Sequence, residues 1–283
     1  MNHEPGLIYV YAATAPAPGL GDSLADLRGV GGAPVTLLAP RTGSPGPAFV
    51  VSEVPSGQWG EEGLRARFED LAWLEDTARA HHEVIQALTE HTVVLPLRLA
   101  TLYQDNNRAL EALSEQRDIF SARLALLAHH VEYGVKVYVA TEADTTEAVG
   151  AEGRSHGTAS TDSASPGKAY LRARRAQHHA REDRYQQARR AADRIAATAA
   201  VHATHGVRHP VQTGPLTRGE AGENVVNDAF LVPDEKTEDF RAALEQAGQG
   251  LPDVRIEVTG PWAPYSFAMP SAQAADTADR PGP

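Results

Sequence analysis

The segment Asp70–Thr101, DLAWLEDTARAHHEVIQALTEHTVVLPLRLAT, decides the fold class, because its pattern predicts a helix followed by a strand. Apolar residues recur in its first half at alternating steps of three and four, which places them on one stripe of an α-helix. Val93–Leu97 is then apolar at successive positions, as expected of a strand that is covered on both faces. Pro96 has no N–H to donate, so we predict that this strand lies at a sheet edge or is interrupted there. The residues of the helical stripe are Leu71, Leu74, Ala78, His81, Ile85 and Leu88.

His81 lies on the buried stripe of the predicted helix, next to His82 and near His91. Adjacent histidines on a helix point about 100° apart. No Cys or acidic residue completes a ligand set around them. We therefore interpret His81 as a core histidine with one hydrogen-bond partner, and we predict no metal site.

Composition excludes several classes of protein. The chain has 283 residues, enough for two modest domains, and it has no cysteine, which excludes disulfides, zinc–thiolate sites and a catalytic Cys. Its net charge of −11 argues against nonspecific binding of nucleic acid. The N-terminus does not have the pattern of a signal peptide, and no apolar run approaches the ~20 residues of a membrane span. We expect a soluble, cytoplasmic protein without a membrane span.

The order of predicted elements indicates an α+β protein with two domains. Residues 1–140 are predicted to form an N-terminal α+β sandwich related to the ferredoxin-like arrangement. Residues 141–167 are rich in Ser, Thr and Gly and are predicted to be a flexible linker. Residues 168–268 are predicted to form a smaller α+β unit that begins with a long helix rich in Arg and Ala, and residues 269–283 a disordered tail. We find no internal sequence repeat at a fixed period.

The sequence offers no complete set of catalytic residues. Gly21–Leu24 matches the short signature of a hydrolase serine at Ser23, but it lies in a Pro/Gly-rich loop, and we cannot assign a base or an orienting acid. The Gly29–Gly32 segment is glycine-rich without the spacing of a dinucleotide-binding loop. We predict no catalytic residue and no cofactor.

One basic run, Lys168–Arg190, contrasts with the acidic remainder of the chain. We interpret it as a solvated helix face or, alternatively, as a surface that docks on an acidic partner through residues such as Arg172 and Arg175. A third interpretation is that the run binds nucleic acid, which would require an affinity that weakens steeply with salt.

Short motifs spread from about Leu7 to Ala268 point to a known family through their order along the chain. They are Tyr9–Tyr11, Val51–Pro55, Asp70–Leu74, Ala78–His81, Val94–Arg98 with Thr101, Gly134–Tyr138, Tyr170-Leu171, Asn227–Val232 and Thr259–Phe267. Together these segments resemble the gas vesicle accessory proteins of the GvpL/GvpF family. Leu99-Ala100 stands where the resemblance leads us to expect Phe-Gly, and Tyr133 where we expect Trp; we interpret both departures as packing changes.

The resemblance implies a non-enzymatic protein that takes part in building gas vesicles and is associated with them. It implies binding to the small hydrophobic shell protein and to other accessory proteins of the vesicle. It also implies an N-terminal α+β domain and a C-terminal domain in which long helices lie against a ferredoxin-like unit.

Three groups of residues are candidate partner-binding surfaces. A self-assembling shell protein exposes apolar surface, which a partner can cover with a sheet edge or an apolar groove. The alternatives are a ferredoxin-like ligand-binding or scaffolding module unrelated to gas vesicles, a hydrolase that uses Ser23, and a nucleic-acid binder. The candidate residues are Leu95, Pro96 and Leu97 on the strand, Arg172 and Arg175 on the basic helix, and Trp262, Tyr265 and Phe267 near the C-terminus.

Overall fold

The computed structural model describes residues 6–40, 46–139, 166–211, 222–250 and 254–268. The chain divides into two compact units, one formed by Met1–Glu132 with Pro261–Pro283 and the other by Tyr133–Gly260. Among the described residues, no helix is long and apolar enough to cross a membrane.

The first unit is built on a five-stranded sheet with the order β2-β3-β1-β4, in which β5 also pairs with β1. The β1–β3, β2–β3 and β1–β4 pairs are antiparallel. Its elements are β1 (Gly6–Thr14), α1 (Leu20–Ser23), β2 (Thr36–Leu38), β3 (Ala48–Pro55), α2 (Ser56–Trp59), α3 (Glu61–Arg67), α4 (Leu71–Thr89), β4 (Val94–Pro96), β5 (Leu102–Tyr103), α5 (Asn106–Glu115) and α6 (Arg117–Leu127).

Helix α4 covers one face of this sheet and contributes to the hydrophobic core of the first unit. The Asp70 side chain caps the helix by accepting the N–H groups of Ala72 and Trp73. On the other side, Phe49 of β3 packs edge-on against Phe120 of α6, with ring centroids 5.5 Å apart. The sheet is therefore buried on both faces, which explains the continuous apolar runs in its strands. The core beneath α4 includes Tyr9, Tyr11, Val50, Val54, Trp59, Val84, Ile85 and Leu88.

A chain of hydrogen bonds holds the glycine-rich loop on the sheet. The Tyr11 hydroxyl accepts the Val30 N–H at 2.9 Å and donates to the Ser52 hydroxyl at 2.9 Å. The Ser52 hydroxyl in turn donates to the Pro34 carbonyl at 2.8 Å. A Cβ atom at Gly29 would overlap the Tyr11 hydroxyl, so the glycine permits this close approach.

The second unit contains a four-stranded sheet with the order β7-β8-β6-β9. With its two helices this is the βαββαβ arrangement of ferredoxin-like folds. Strands β1 to β4 of the first unit are arranged in the same way, since the order β2-β3-β1-β4 corresponds position by position to β7-β8-β6-β9. In the first unit, however, the helix between the first two strands, α1, is only one turn long. The elements are β6 (His130–Val139), α7 (Pro166–His202), β7 (His205–Arg208), β8 (Glu223–Pro233), α8 (Thr237–Ala247) and β9 (Val254–Trp262).

The α+β prediction is confirmed, and so is the edge position of the strand that ends at Pro96. The boundary predicted near Ala140 is displaced, because β6 contributes its backbone to the second sheet. The segment from Pro261 groups with the first unit instead of the second. The predicted linker lies outside the described residues except for its last two positions, which begin α7, and the predicted tail also lies outside them.

The buried stripe of α4 is rotated from the predicted one. Leu71 is 78 % exposed and Ala78 is also exposed, whereas Thr77 and Val84 are buried with His81. The remaining members of the buried stripe are Ile85 and Leu88, as predicted. The cause is a tertiary contact, because Trp73 at the start of the helix packs on Trp59 with centroids 5.3 Å apart.

Candidate partner-binding surfaces

An aromatic platform, defined here as His82, Trp262 and Tyr265, lies on the surface of the first unit. The His82 ring is 5.7 Å from the Trp262 ring and 6.0 Å from the Tyr265 ring, measured between centroids. A hydrogen bond of 3.2 Å joins His82 Nδ1 and the Tyr265 hydroxyl. Trp262 remains 42 % exposed and Tyr265 38 % exposed. Exposed Trp and Tyr side chains with fixed neighbours are typical of protein-binding hot spots.

The backbone beneath the platform is fixed to the rest of the first unit. Ala263 is buried in the core cluster and Phe267 is also buried. The buried Glu132 carboxylate accepts the Ser266 N–H at 2.8 Å and the Ser266 hydroxyl at 2.6 Å. Burial, and next the charge of Glu132, raise the pKa of Tyr265. These contacts hold the two exposed rings in place before any partner arrives, which lowers the entropic cost of binding.

His81, one residue before the platform histidine, points into the core as predicted. It is 4 % exposed, and a 2.8 Å hydrogen bond joins its Nδ1 to the Tyr9 hydroxyl. Burial lowers the pKa of His81 to about 4, against an opposing effect of the Leu97 backbone. The Tyr9 hydroxyl also accepts the Ala100 N–H at 3.3 Å, and burial raises the pKa of Tyr9. His81 is therefore neutral near pH 7 and has a structural role in the core.

Ala100 adopts the left-handed conformation, with φ at 60°. Glycine takes this conformation without steric cost, whereas alanine does not. The family resemblance leads us to expect glycine here, and it suggests that the departure is a packing change. That interpretation is wrong for Ala100, because the structure assigns the position a backbone constraint.

The predicted strand surface is mostly inaccessible. The Leu95 side chain is completely buried, Pro96 is buried and Leu97 is half-buried. Leu95 and Pro96 belong to the core because both faces of the sheet are covered. The sequence could not reveal this, since a run of apolar residues does not show which of them face a free edge.

The predicted basic surface is exposed along the first half of α7. Arg172 and Arg175 are both exposed, as is every residue from Leu171 to Asp183 whose side chain the structure describes. Leu171, the apolar residue next to Arg172, is 55 % exposed. Burial begins at Arg184 and continues through Ala188, Ala191, Ile195 and Ala199. Within Pro166–His202 the sequence has nine Lys or Arg residues against three acidic ones, so this helix carries a charge of +6 in a chain of −11.

Sequence reasoning missed a groove between the C-terminal half of α7 and the edge strand β7. Its volume is about 480 Å³. Alanines of α7 form one wall, and Gly206 and Phe230 of the sheet form the floor. The Arg208 guanidinium and the Asp228 carboxylate lie at the groove and are joined by hydrogen bonds of 3.0 and 3.3 Å. The only sequence signal was the density of alanine in α7, and small side chains leave space without indicating where.

Ser23, the candidate nucleophile of the hydrolase alternative, is exposed. The Ser23 hydroxyl donates to the Gly19 carbonyl at 3.4 Å within a one-turn exposed helix. Among the described residues, no cluster of three or more His, Asp or Glu side chains could hold a metal ion.

Comparisons with known proteins agree with this architecture. The family described as "Gas vesicle synthesis protein GvpL/GvpF" matches residues 7–269. "Gas vesicle protein L" of Streptomyces sp. (strain CB03234) is 39 % identical over 262 residues, which cover 93 % of this chain and 92 % of that protein. "Gas vesicle protein F" of the same strain is 28 % identical over 223 residues, covering 78 % and 83 %.

Two solved structures share the fold. The crystal structure of the gas vesicle protein GvpF from Anabaena sp. PCC7120 superposes with a TM-score of 0.60 at 18 % identity, over 94 % of this chain and 97 % of that one. The GvpF structure from Microcystis aeruginosa gives 0.57 at 17 % identity, over 94 % and 99 %. The match over nearly the whole chain shows that this protein belongs to the GvpL/GvpF family of gas vesicle proteins.

Proposed function

We propose that this protein is a non-enzymatic assembly factor of gas vesicles that binds the small hydrophobic shell protein and other accessory proteins during nucleation or early assembly. It works in the cytoplasm, on vesicles that are being built. The observation that carries this proposal is the aromatic platform, where Trp262 and Tyr265 stand exposed on a backbone that Glu132 and the core hold in place.

The aromatic platform suits an apolar client. A shell subunit that has not yet joined the vesicle wall presents apolar surface to water, and covering that surface is favourable in proportion to its area. Two adjacent aromatic rings offer a large contact area, and the His82 ring extends it on one side. Phe267, the third aromatic candidate near the C-terminus, is buried and is not part of the exposed platform.

The basic half of α7 suits a different class of partner. Arg172 and Arg175 extend from a helix whose described neighbours are all exposed as far as Asp183. Such a surface attracts acidic proteins and speeds their association at low salt. We assign this surface to acidic accessory proteins of the vesicle.

A pull-down by soluble shell protein tests the aromatic platform. We expect Trp262→Ala to weaken capture by about tenfold or more, since aromatic hot spots contribute about 2 kcal/mol or more. The matched control is Phe68→Ala, which removes another exposed aromatic side chain of the first unit at 50 % exposure. Equal capture of both folded variants and the original protein would remove the platform from the proposal.

A charge reversal tests the basic surface. Arg175→Glu should weaken capture by acidic accessory proteins, and the effect should shrink at high salt. Arg194→Glu makes the same change on an exposed position of the same helix, about 28 Å further along at 1.5 Å per residue. If both reversals weaken capture equally, the effect reflects net charge and not a surface around Arg175.

A further inference from the structure

The groove between α7 and β7, described above, combines a helix wall with the unpaired side of an edge strand. Ala196, Ala199, Ala200 and Ala203 line the wall. Strand β7 is the last strand in the order β7-β8-β6-β9, so within the described part of the chain its outer side pairs with no strand. An edge of this kind is a template for one further strand.

The register of β7 shows which backbone groups face outward. The His209 N–H donates to the Asn227 carbonyl at 2.8 Å, and Val207 pairs with Ala229 in the same antiparallel register. Because inward and outward groups alternate along a strand, the N–H and C=O groups of Gly206 and Arg208 face the free edge. A ligand that uses these groups must itself be an extended chain.

The floor of the groove defines the side chains that such a ligand carries. A Cβ at Gly206 would lie 3.2 Å from the Phe230 ring, so the glycine leaves that ring open towards the groove. With alanine methyl groups opposite, the space accepts small or branched apolar side chains at alternate positions. The Arg208–Asp228 pair neutralises its own charge, so this end of the groove does not require a charged ligand.

The stretches of this sequence outside the described residues do not have the pattern of such a segment. Outside the described residues, each stretch of sequence has at most one large apolar residue, such as Val149 in 140–165, Leu216 in 212–221 and Met269 in 269–283. A strand that fills the groove needs at least two on one face. We therefore assign the groove to a segment of another polypeptide.

We infer that the groove between α7 and β7 binds an extended apolar strand of the gas vesicle shell protein, which extends the second sheet beyond β7. This inference rests on the proposed function, and it adds a second binding site for the shell protein, separate from the aromatic platform. A strand of the shell protein that pairs with β7 is not free to pair with another copy of itself.

Single-cysteine footprinting tests the groove, since the natural chain has no cysteine. Ala200→Cys places a thiol on the groove wall at an exposed position. Val201→Cys is the control; it is the next residue, 69 % exposed, does not line the groove and points about 100° away. The maleimide reaction of each full-length variant is timed with and without shell protein produced as a soluble fusion.

We expect shell protein to slow the reaction by about tenfold at Ala200→Cys and to leave Val201→Cys unchanged, because reaction requires an accessible thiolate. Correspondingly, Ala200→Lys should weaken capture of shell protein by about tenfold, and Val201→Lys should not. Capture of shell protein without protection at Ala200→Cys overturns the inference and leaves the proposed function standing. No capture by the unmodified protein overturns both.

Discussion

Lowering the pH should destabilise the first unit through His81. Its imidazole is buried beside Tyr9, and burial lowers its pKa from 6.5 to about 4. Between these two values the unfolded chain binds a proton that the folded unit does not. The part of the unfolding free energy that depends on a neutral His81 is therefore fully present above pH 6.5. It is lost as the pH falls from 6.5 towards 4.

The size of the effect follows from the two pKa values. In full, a pKa lowered from 6.5 to about 4 corresponds to about 3 kcal/mol of unfolding free energy. Evaluated between pH 7 and pH 5, the loss attributable to His81 is about 2 kcal/mol.

Urea unfolding followed by tryptophan fluorescence measures this loss selectively. All three tryptophans, Trp59, Trp73 and Trp262, belong to the first unit, so the signal reports that unit. His81→Phe keeps an aromatic ring in the same core and removes the titrating group. This variant should lose about 2 kcal/mol less than the original protein between pH 7 and pH 5.

The control is His91→Gln, which removes an exposed histidine just beyond the end of the same helix. It should leave the difference between pH 7 and pH 5 unchanged. If His81→Phe and the original protein lose the same stability over this range, the assignment of a lowered pKa to His81 is refuted.

Three further substitutions test individual contacts of the first unit. Ala100→Gly should stabilise it by about 1 kcal/mol in urea unfolding, because alanine is strained at φ 60°; a loss of stability would contradict the strain. Gly29→Ala should cost about 2 kcal/mol, since the added methyl group displaces the buried Tyr11 hydroxyl, and thermal unfolding at neutral pH measures it. Glu132→Gln should cost about 1–2 kcal/mol by weakening two hydrogen bonds from Ser266; hydrogen exchange that is not faster at residues 261–268 would argue against this role.

Local patterns predicted the helices and strands well, and the reason is that periodicity is set by neighbours in the chain. The helix through His81, the strand that ends at Pro96 and the buried histidine were all accessible in this way. The sequence does not show where helix α5 ends and helix α6 begins, because the residue between them, Gln116, is neither Gly nor Pro.

The candidate surfaces were predicted only in part. Exposure of Trp262, Tyr265 and Arg175 is consistent with the sequence proposal, whereas Leu95 and Phe267 are buried. A run of apolar residues indicates burial or binding equally well. Only the elements that pack on a segment decide between burial and binding. Here α6 and the core of the first unit bury residues that the sequence pattern could equally assign to a binding surface.

Sequence alone determined the α+β class, the absence of thiol chemistry, the charge contrast of the long helix and, through the order of its motifs, the family. Tertiary structure decided that residues from Pro261 group with the first unit, that Glu132 holds Ser266, that Ala100 is strained and that alanines of α7 border a free strand edge. The difference has one physical cause. Secondary structure follows from interactions a few residues apart, whereas a surface forms when distant segments meet, as Glu132 and Ser266 do across 134 positions of the chain.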